Sequence, residues 1–367
     1  MLLSSQNNEY IKVSIQCLHL RCMRKIETLD GLRGFAILMV IYHHLPHIQG
    51  WTVFNRLPSL LHFGYLGVDV FFVLSGFLIT RILINEKKKN TFSFKIFYFK
   101  RALRIFPIYY LVLIVIGITY SWNGMLPNVF YVSNYYYSFN TVPHPLRHTW
   151  SLSVEEHFYL VWPLVLYYFT LPRAEKIITY WLPAVAIISA IVTVFVTEDK
   201  LAQALIYRGT QYRILTLSIG GIFAFKEEKI SQLKPLYLFL AAVLLMILYY
   251  FIDRPGIFNT LLNFTLLTIV SSLIFLFALN IEHTKSFTRK IFVNPVITFI
   301  GKISYGLYLY HFPVLFFFGL TYNQIQSKHL NWQVIIMPLI IIFTIAIVSY
   351  FLIEKYFLRL KKNLSHT

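Results

Sequence analysis

Apolar runs long enough to cross a bilayer as helices recur along this chain, separated by short polar connections. In lipid, only helices and closed barrels satisfy every backbone polar group internally. Of the 367 residues, 57% are hydrophobic and 13% charged, about half the usual soluble share. The 34 Phe and 26 Tyr exceed what one soluble core absorbs, and mean hydropathy is +0.62. The expected fold class is an all-α polytopic membrane protein.

The runs place expected spans at 28–47, 64–84, 105–122, 154–170, 179–197, 211–225, 235–251, 261–280, 296–319 and 333–353, about ten transmembrane helices. Several begin or end on Tyr or Trp, as interface anchors do. Ten spans put both termini on one side. That side carries 22 basic residues against 6 on the other, which marks it as cytoplasmic. The net charge of +18 is then mostly topology, with a share available to anionic membrane lipid. Nothing beyond charge points to nucleic acid.

The expected organisation is a cytoplasmic arm at 1–25, one transmembrane domain at 26–357 and a cytoplasmic tail at 358–367. Cys17 and Cys22 fall in the arm and read as ordinary thiols. Residues 1–20 lack the apolar centre of a signal peptide. The longer connections are expected at 85–104 and 122–149.

Arg33 and His44 share the first span, in IETLDGLRGFAILMVIYHH. Eleven residues of helix give about 16 Å of rise and return to within roughly 20° of the starting direction. A cation and an imidazole on one face of an apolar span are costly to bury, which marks a polar site. Asp30 is spaced to pair with Arg33, and His43 points about 100° away.

In GYLGVDVFFVLSGFLITR, Asp69 is an acid that needs a partner or a wet cavity. Gly64, Gly67 and Gly76 allow close helix approach. Ser75 reads as a packing hydroxyl bonded to the carbonyl four residues back, with no GxSxG elbow or SxxK around it.

FKIFYFKRALRIFPIYY places Arg101 and Arg104 one turn apart beside Lys95 and Lys100. Such a basic rim suits phosphates. Pro107 is expected to begin or kink the next span. In RHTWSLSVEEHFYLVWPL, Ser153, Glu155, Glu156 and His157 crowd a helix start, and Ser153 with Glu156 fits a capping box. His148 and Trp150 are expected at the external interface, lining the approach of a polar substrate.

GKISYGLYLYHFPV spaces Tyr305, Tyr308 and His311 by three, along one side. Glu354 and Lys355 read as an edge ion pair. The absence of GxxxxGK[ST], GxGxxG and HExxH weighs against an ATP-driven pump, a nucleotide-binding enzyme and a metallohydrolase, and no metal ligands are assigned.

Together these blocks resemble the membrane-bound acyltransferase-3 family of O-acyltransferases. The family's arginine–ten residues–histidine pattern falls on Arg33 and His44. GVDVFFVLSGFLIT at 67–80 matches closely, and the arginine-x-x-arginine element falls on Arg101 and Arg104. WSLSVEEHFYLVWP at 150–163 is similar to the family's SLxxEExFY segment, with His157 where glutamine is common. ISYGLYLYHFP at 303–313 matches the late histidine motif. The chain ends soon after the last apolar run, so the resemblance implies the form without an added SGNH-type domain.

The resemblance implies an acyl-CoA donor, expected to be acetyl-CoA, and no permanently bound cofactor. It implies a hydroxyl acceptor on a carbohydrate or lipid-linked glycan, and a place in a bacterial inner membrane. His44 is the expected general base, with Glu156 or Asp69 as its supporting acid. Arg33, Arg101 and Arg104 are expected to attract the donor's phosphates. His311 and Tyr305 are expected to bind the acceptor or stabilise oxyanion charge. Ser75, Trp150 and His148 complete the expected substrate-binding set. Direct attack is preferred over an acyl-histidine or acyl-serine relay, because no nucleophile is recognisable. The alternative function is transport or export of a lipid-linked glycan or small acid, although no inverted repeat or pair of broken spans is evident.

Overall fold

The computed structural model describes residues 25–45, 64–252, 257–321 and 332–363, and among them every regular element is helical. Helices α1 (Glu27–His44), α2 (Gly64–Lys88) and α3 (Phe94–Thr119) come first. The next connection carries the short α4 (Ser133–Phe139) and leads into α5 (Trp150–Tyr168). Then follow α6 (Leu171–Val196), which contains a π-helical turn at Ile177–Trp181, α7 (Asp199–Arg208) and α8 (Thr210–Phe225). The remainder is α9 (Pro235–Ile252), α10 (Ile257–Ile281), α11 (Pro295–Lys302), α12 (Ser304–Phe317) and α13 (Trp332–Ser349). A π-helical turn at Tyr350–Glu354 joins α13 to α14 (Lys355–Asn363).

The expectation of about ten transmembrane helices is corrected. Among the described residues five helices are long and apolar enough to cross a membrane: Tyr65–Lys88, Phe94–Thr119, Leu171–Val196, Thr260–Ile281 and Val334–Lys361. The other expected spans fail for physical reasons. Helix α1 carries Glu27, Asp30 and Arg33, and α5 carries Glu155, Glu156 and His157. Helix α8 has only 16 residues, and the apolar stretch Pro235–Tyr249 is short. The run at 296–319 is two helices broken at Ile303.

The cytoplasmic placement of both termini rested on an even count and falls with it. Residues 1–24, with Cys17 and Cys22, and 364–367 lie outside the described residues, as do Arg56, Arg254 and Lys328. The fold is all-α and rich in membrane-length helices.

Two further expectations change. The connection expected at 85–104 is mostly helix, because α2 runs to Lys88 and α3 starts at Phe94. Lys87, in the last turn of α2, donates to the carbonyls of Leu166, Tyr167 and Phe169 at the end of α5. Pro107 sits inside α3 rather than beginning it. Ser153 is no cap, because α5 begins three residues earlier, and its hydroxyl bonds that of Ser133 at 2.8 Å.

Helix α2 is buried along most of its length, whereas α6 and α13 present most of theirs outward. Glycine sets the α2–α8 distance. A Cβ on Gly76 would lie 2.0 Å from the Leu217 carbonyl oxygen, and one on Gly220 would lie 2.1 Å from that of Val73. No larger residue fits where two backbones touch. Helix α1 meets α11 in the same way, with Gly301 against the carbonyl of Asp30.

Candidate active site

A cavity of about 270 Å³ lies between α2, α3, α5 and α12. Each helix contributes one stripe at helical spacing. Helix α2 supplies Phe71, Ser75, Leu78, Ile82 and Glu86, α3 supplies Phe97, Arg101, Arg104 and Ile105, and α5 supplies Ser151, Glu155 and Tyr159. Helix α12 adds Ser304, Tyr305 and Tyr308. Arg33 of α1, Lys100 of α3 and Lys361 of α14 also line it. Five cationic side chains thus face two carboxylates, Glu86 and Glu155.

Of the three arginines expected to bind phosphate, all line this cavity. Arg33 pairs with Asp30 at 3.0 Å, and Asp30 also holds Lys25 at 2.8 Å. Arg101 lies over the Tyr159 ring and 3.6 Å from Glu156. Among the described residues Arg104 forms no ion pair within 4.0 Å, which leaves its fork of donors open to a ligand.

Ser75 departs from the expected packing role. Its hydroxyl donates to Glu155 at 2.7 Å, across helices, instead of bonding back along α2. Tyr305 donates to the carbonyl of Ile105 at 3.0 Å.

A second cluster collects three imidazoles from distant parts of the chain. The His44 and His311 ring centroids are 5.0 Å apart, and those of His148 and His311 are 5.1 Å apart. Phe312 packs on both His44 and His148. His44 Nδ1 lies 2.9 Å from the carbonyl of Val40, and His311 Nδ1 lies 2.7 Å from that of Tyr308. A carbonyl only accepts, so each Nδ1 carries the proton and each Nε2 keeps its lone pair. His311 Nε2 is buried without a partner, as are both ring nitrogens of His148. Among the described residues no carboxylate bonds the His44 ring, and the expected acid is replaced by a backbone carbonyl.

The two expected acids lie elsewhere. Glu156 faces Arg101. Asp69 accepts from Arg213 Nη1 at 2.6 Å, and both side chains are buried. Tyr207, Phe264 and Trp150 enclose the guanidinium, and its Nε donates to the carbonyl of Tyr207 at 2.6 Å. Trp150 and His148 are both buried. Glu354 is also buried, beside Gly306, and is no edge ion pair.

Tyr308 separates the cavity from the imidazoles. It lines the cavity, its hydroxyl donates to the His148 carbonyl at 2.8 Å, and its ring packs on those of His148 and His311. None of the three histidines lines the cavity itself.

Arg213, Glu155 and Lys361 escaped selection as site residues. Arg213 was detectable, as the one charged residue in the apolar run 211–225. Lys361 carries no such signal, because a lysine just past an apolar run is ordinary. Among the described residues no cluster of three or more His, Cys, Asp or Glu is placed to hold a metal ion.

An acyltransferase domain family matches residues 26–354. The chain belongs to the acyltransferase-3 family. It is 33% identical over 328 residues to a Staphylococcus aureus (strain COL) protein provisionally named an O-acetyltransferase, covering 80% of this chain and 51% of that one. It is 31% identical over 362 residues to the O-acetyltransferase OatA of Staphylococcus aureus (strain NCTC 8325), covering 90% of this chain and 57% of OatA. The chain thus spans about half the length of these relatives. No solved structure matches it.

Proposed function

We propose that the protein transfers an acyl group, acetyl on the strength of its relatives' names, from acyl-CoA to a hydroxyl of a membrane-associated glycan. The observation that carries this reading is the pairing of a basic cavity with an adjoining cluster of imidazoles whose Nε2 lone pairs are available. The basic end suits the phosphates of the donor. The pantetheine arm would then run along the apolar stripe of α2 towards Tyr308 and Ser151. A bacterial inner membrane is the setting that the relatives suggest.

In this scheme the acceptor oxygen attacks the thioester carbonyl while His44 Nε2 takes its proton. The carbon–sulfur bond then breaks, and the imidazolium returns the proton to the leaving thiolate. The products are an O-acyl ester and the free thiol of CoA. The Val40 carbonyl fixes the ring tautomer, which leaves Glu156 and Asp69 to hold arginines. His311 presents an Nε2 without a proton, so its role is to accept from the incoming hydroxyl rather than to stabilise an oxyanion. Movement of Tyr308 brings the two compartments together.

The Ser75–Glu155 hydrogen bond favours one second reading, in which Ser75 carries the acyl group between donor and acceptor. Incubating purified protein with radiolabelled acetyl-CoA and no acceptor separates the two. Direct transfer predicts no stable label, whereas stoichiometric label surviving denaturation on Ser75 supports the relay. The overall reading is tested by mass spectrometry of envelope glycans from cells with and without the gene. The expected result is loss of an increment of about 42 Da, the mass change of one acetylation, and its restoration by wild type but not by His44→Ala. Unchanged glycan masses would oppose the reading.

A further inference from the structure

We infer that Lys361, at the C-terminal end of the last membrane-length run, is a phosphate-binding residue of the donor cavity. This rests on the acyl-CoA reading above. Helix α14 lies beyond residues 26–354, the stretch shared with the family, and it packs against α3. That packing brings Lys361 into the cavity lining beside Arg33, Lys100, Arg101 and Arg104.

Three features point to a ligand. The first is that Lys361 is only partly exposed, whereas Arg359 and Leu360 just before it are exposed. The second is charge. Among the described residues Lys361, Lys100 and Arg104 form no ion pair within 4.0 Å, and the five cations of the lining outnumber its two carboxylates, Glu86 and Glu155. Repulsion within such an excess is relieved when a multiply charged anion binds among the cations. The third is position. The polar groups Ser75, Glu155, Ser151 and Tyr308 and the apolar stripe of α2 offer an uncharged group no comparable set of cations. A ligand with phosphates at one end and an uncharged arm at the other matches this division.

The test is equilibrium binding to the full chain in lipid nanodiscs, with CoA, 3′-dephospho-CoA and pantetheine as probes. Lys361→Gln is expected to weaken CoA binding roughly ten- to a hundredfold and to leave pantetheine unchanged, and Lys361→Arg is expected to restore most of the affinity. Loss confined to CoA assigns the contact to the 3′-phosphate. Equal loss with dephospho-CoA assigns it to the pyrophosphate. Wild-type affinity for CoA in Lys361→Gln would overturn the assignment while leaving the acyl-CoA reading intact. Weakening of all three probes alike would also overturn it, because α14 would then shape the cavity rather than touch phosphate. Failure of the wild-type protein to bind CoA would instead remove the acyl-CoA reading itself, and the assignment with it.

Discussion

The hydroxyls of Ser151 and Tyr308 lie 2.5 Å apart at the inner end of the cavity, with the three imidazoles behind Tyr308. Each helix lends one half of the contact, so the pair ties α5 to α12. Tyr308→Phe is expected to cost about 1–3 kcal/mol, because it removes the partner of both the Ser151 hydroxyl and the His148 carbonyl, and Ser151→Ala is expected to cost less, because the Tyr308 hydroxyl still donates to the His148 carbonyl. The double variant should cost clearly less than the sum of the two. Thermal unfolding of the four proteins in detergent measures the coupling, and strict additivity would show that the hydroxyls do not interact.

Arg33 and Arg104 line the same cavity under different local charge. Asp30 neutralises part of Arg33, whereas Arg104 has no ion-pair partner among the described residues. Arg104→Ala is therefore expected to raise KM for acyl-CoA by roughly tenfold or more, the value of a charge-assisted hydrogen bond, and by more than Arg33→Ala does. The kcat should change little in both. Donor titrations at two salt concentrations check the order, and a larger effect at Arg33 would contradict it.

Asp69 and Arg213 form a buried ion pair inside an aromatic enclosure. Asp69→Ala strands a buried guanidinium and should destabilise by about 3–5 kcal/mol. Adding Arg213→Met to that variant should recover part of the loss, because an apolar pair needs no compensation. Chemical unfolding of both variants is the measurement, and a double variant no more stable than Asp69→Ala would refute the explanation.

His144 lies in the connection between α4 and α5, outside the membrane-length helices. Burial lowers its pKa from 6.5 to about 4. The unfolded chain then binds a proton between those values that the folded protein refuses. Its contribution to stability is complete above pH 6.5 and is lost as pH falls towards 4. His144→Gln should flatten that part of the stability–pH curve, as read by thermal unfolding across pH 4–7. An unchanged slope would place the titration elsewhere.

Local pattern made much of this arrangement legible. Arg33, Arg101 and Arg104 were readable because cations at helical spacing next to apolar sequence have few inexpensive places to go. His44 and His311 were readable for the same reason, although their adjacency was not, since no spacing rule connects α1 with α12. The partners of Asp69 and Ser75 were hidden because tertiary contacts across helices leave no trace in sequence periodicity. The span count failed because hydropathy measures composition over a window. It overlooks the break at Ile303 and counts α1 and α5, whose acidic residues disqualify them as apolar spans.

The glycine seam between α2 and α8 has a mechanical consequence. With Gly76 and Gly220 seated against opposing carbonyls, the two helices are locked in register. A slide of one turn, about 5.4 Å, would drive bulky side chains into the neighbouring backbone. Helix α2 is therefore a fixed rail beside the cavity, so any change in the cavity's width falls to the helices packed across it rather than to sliding between α2 and α8.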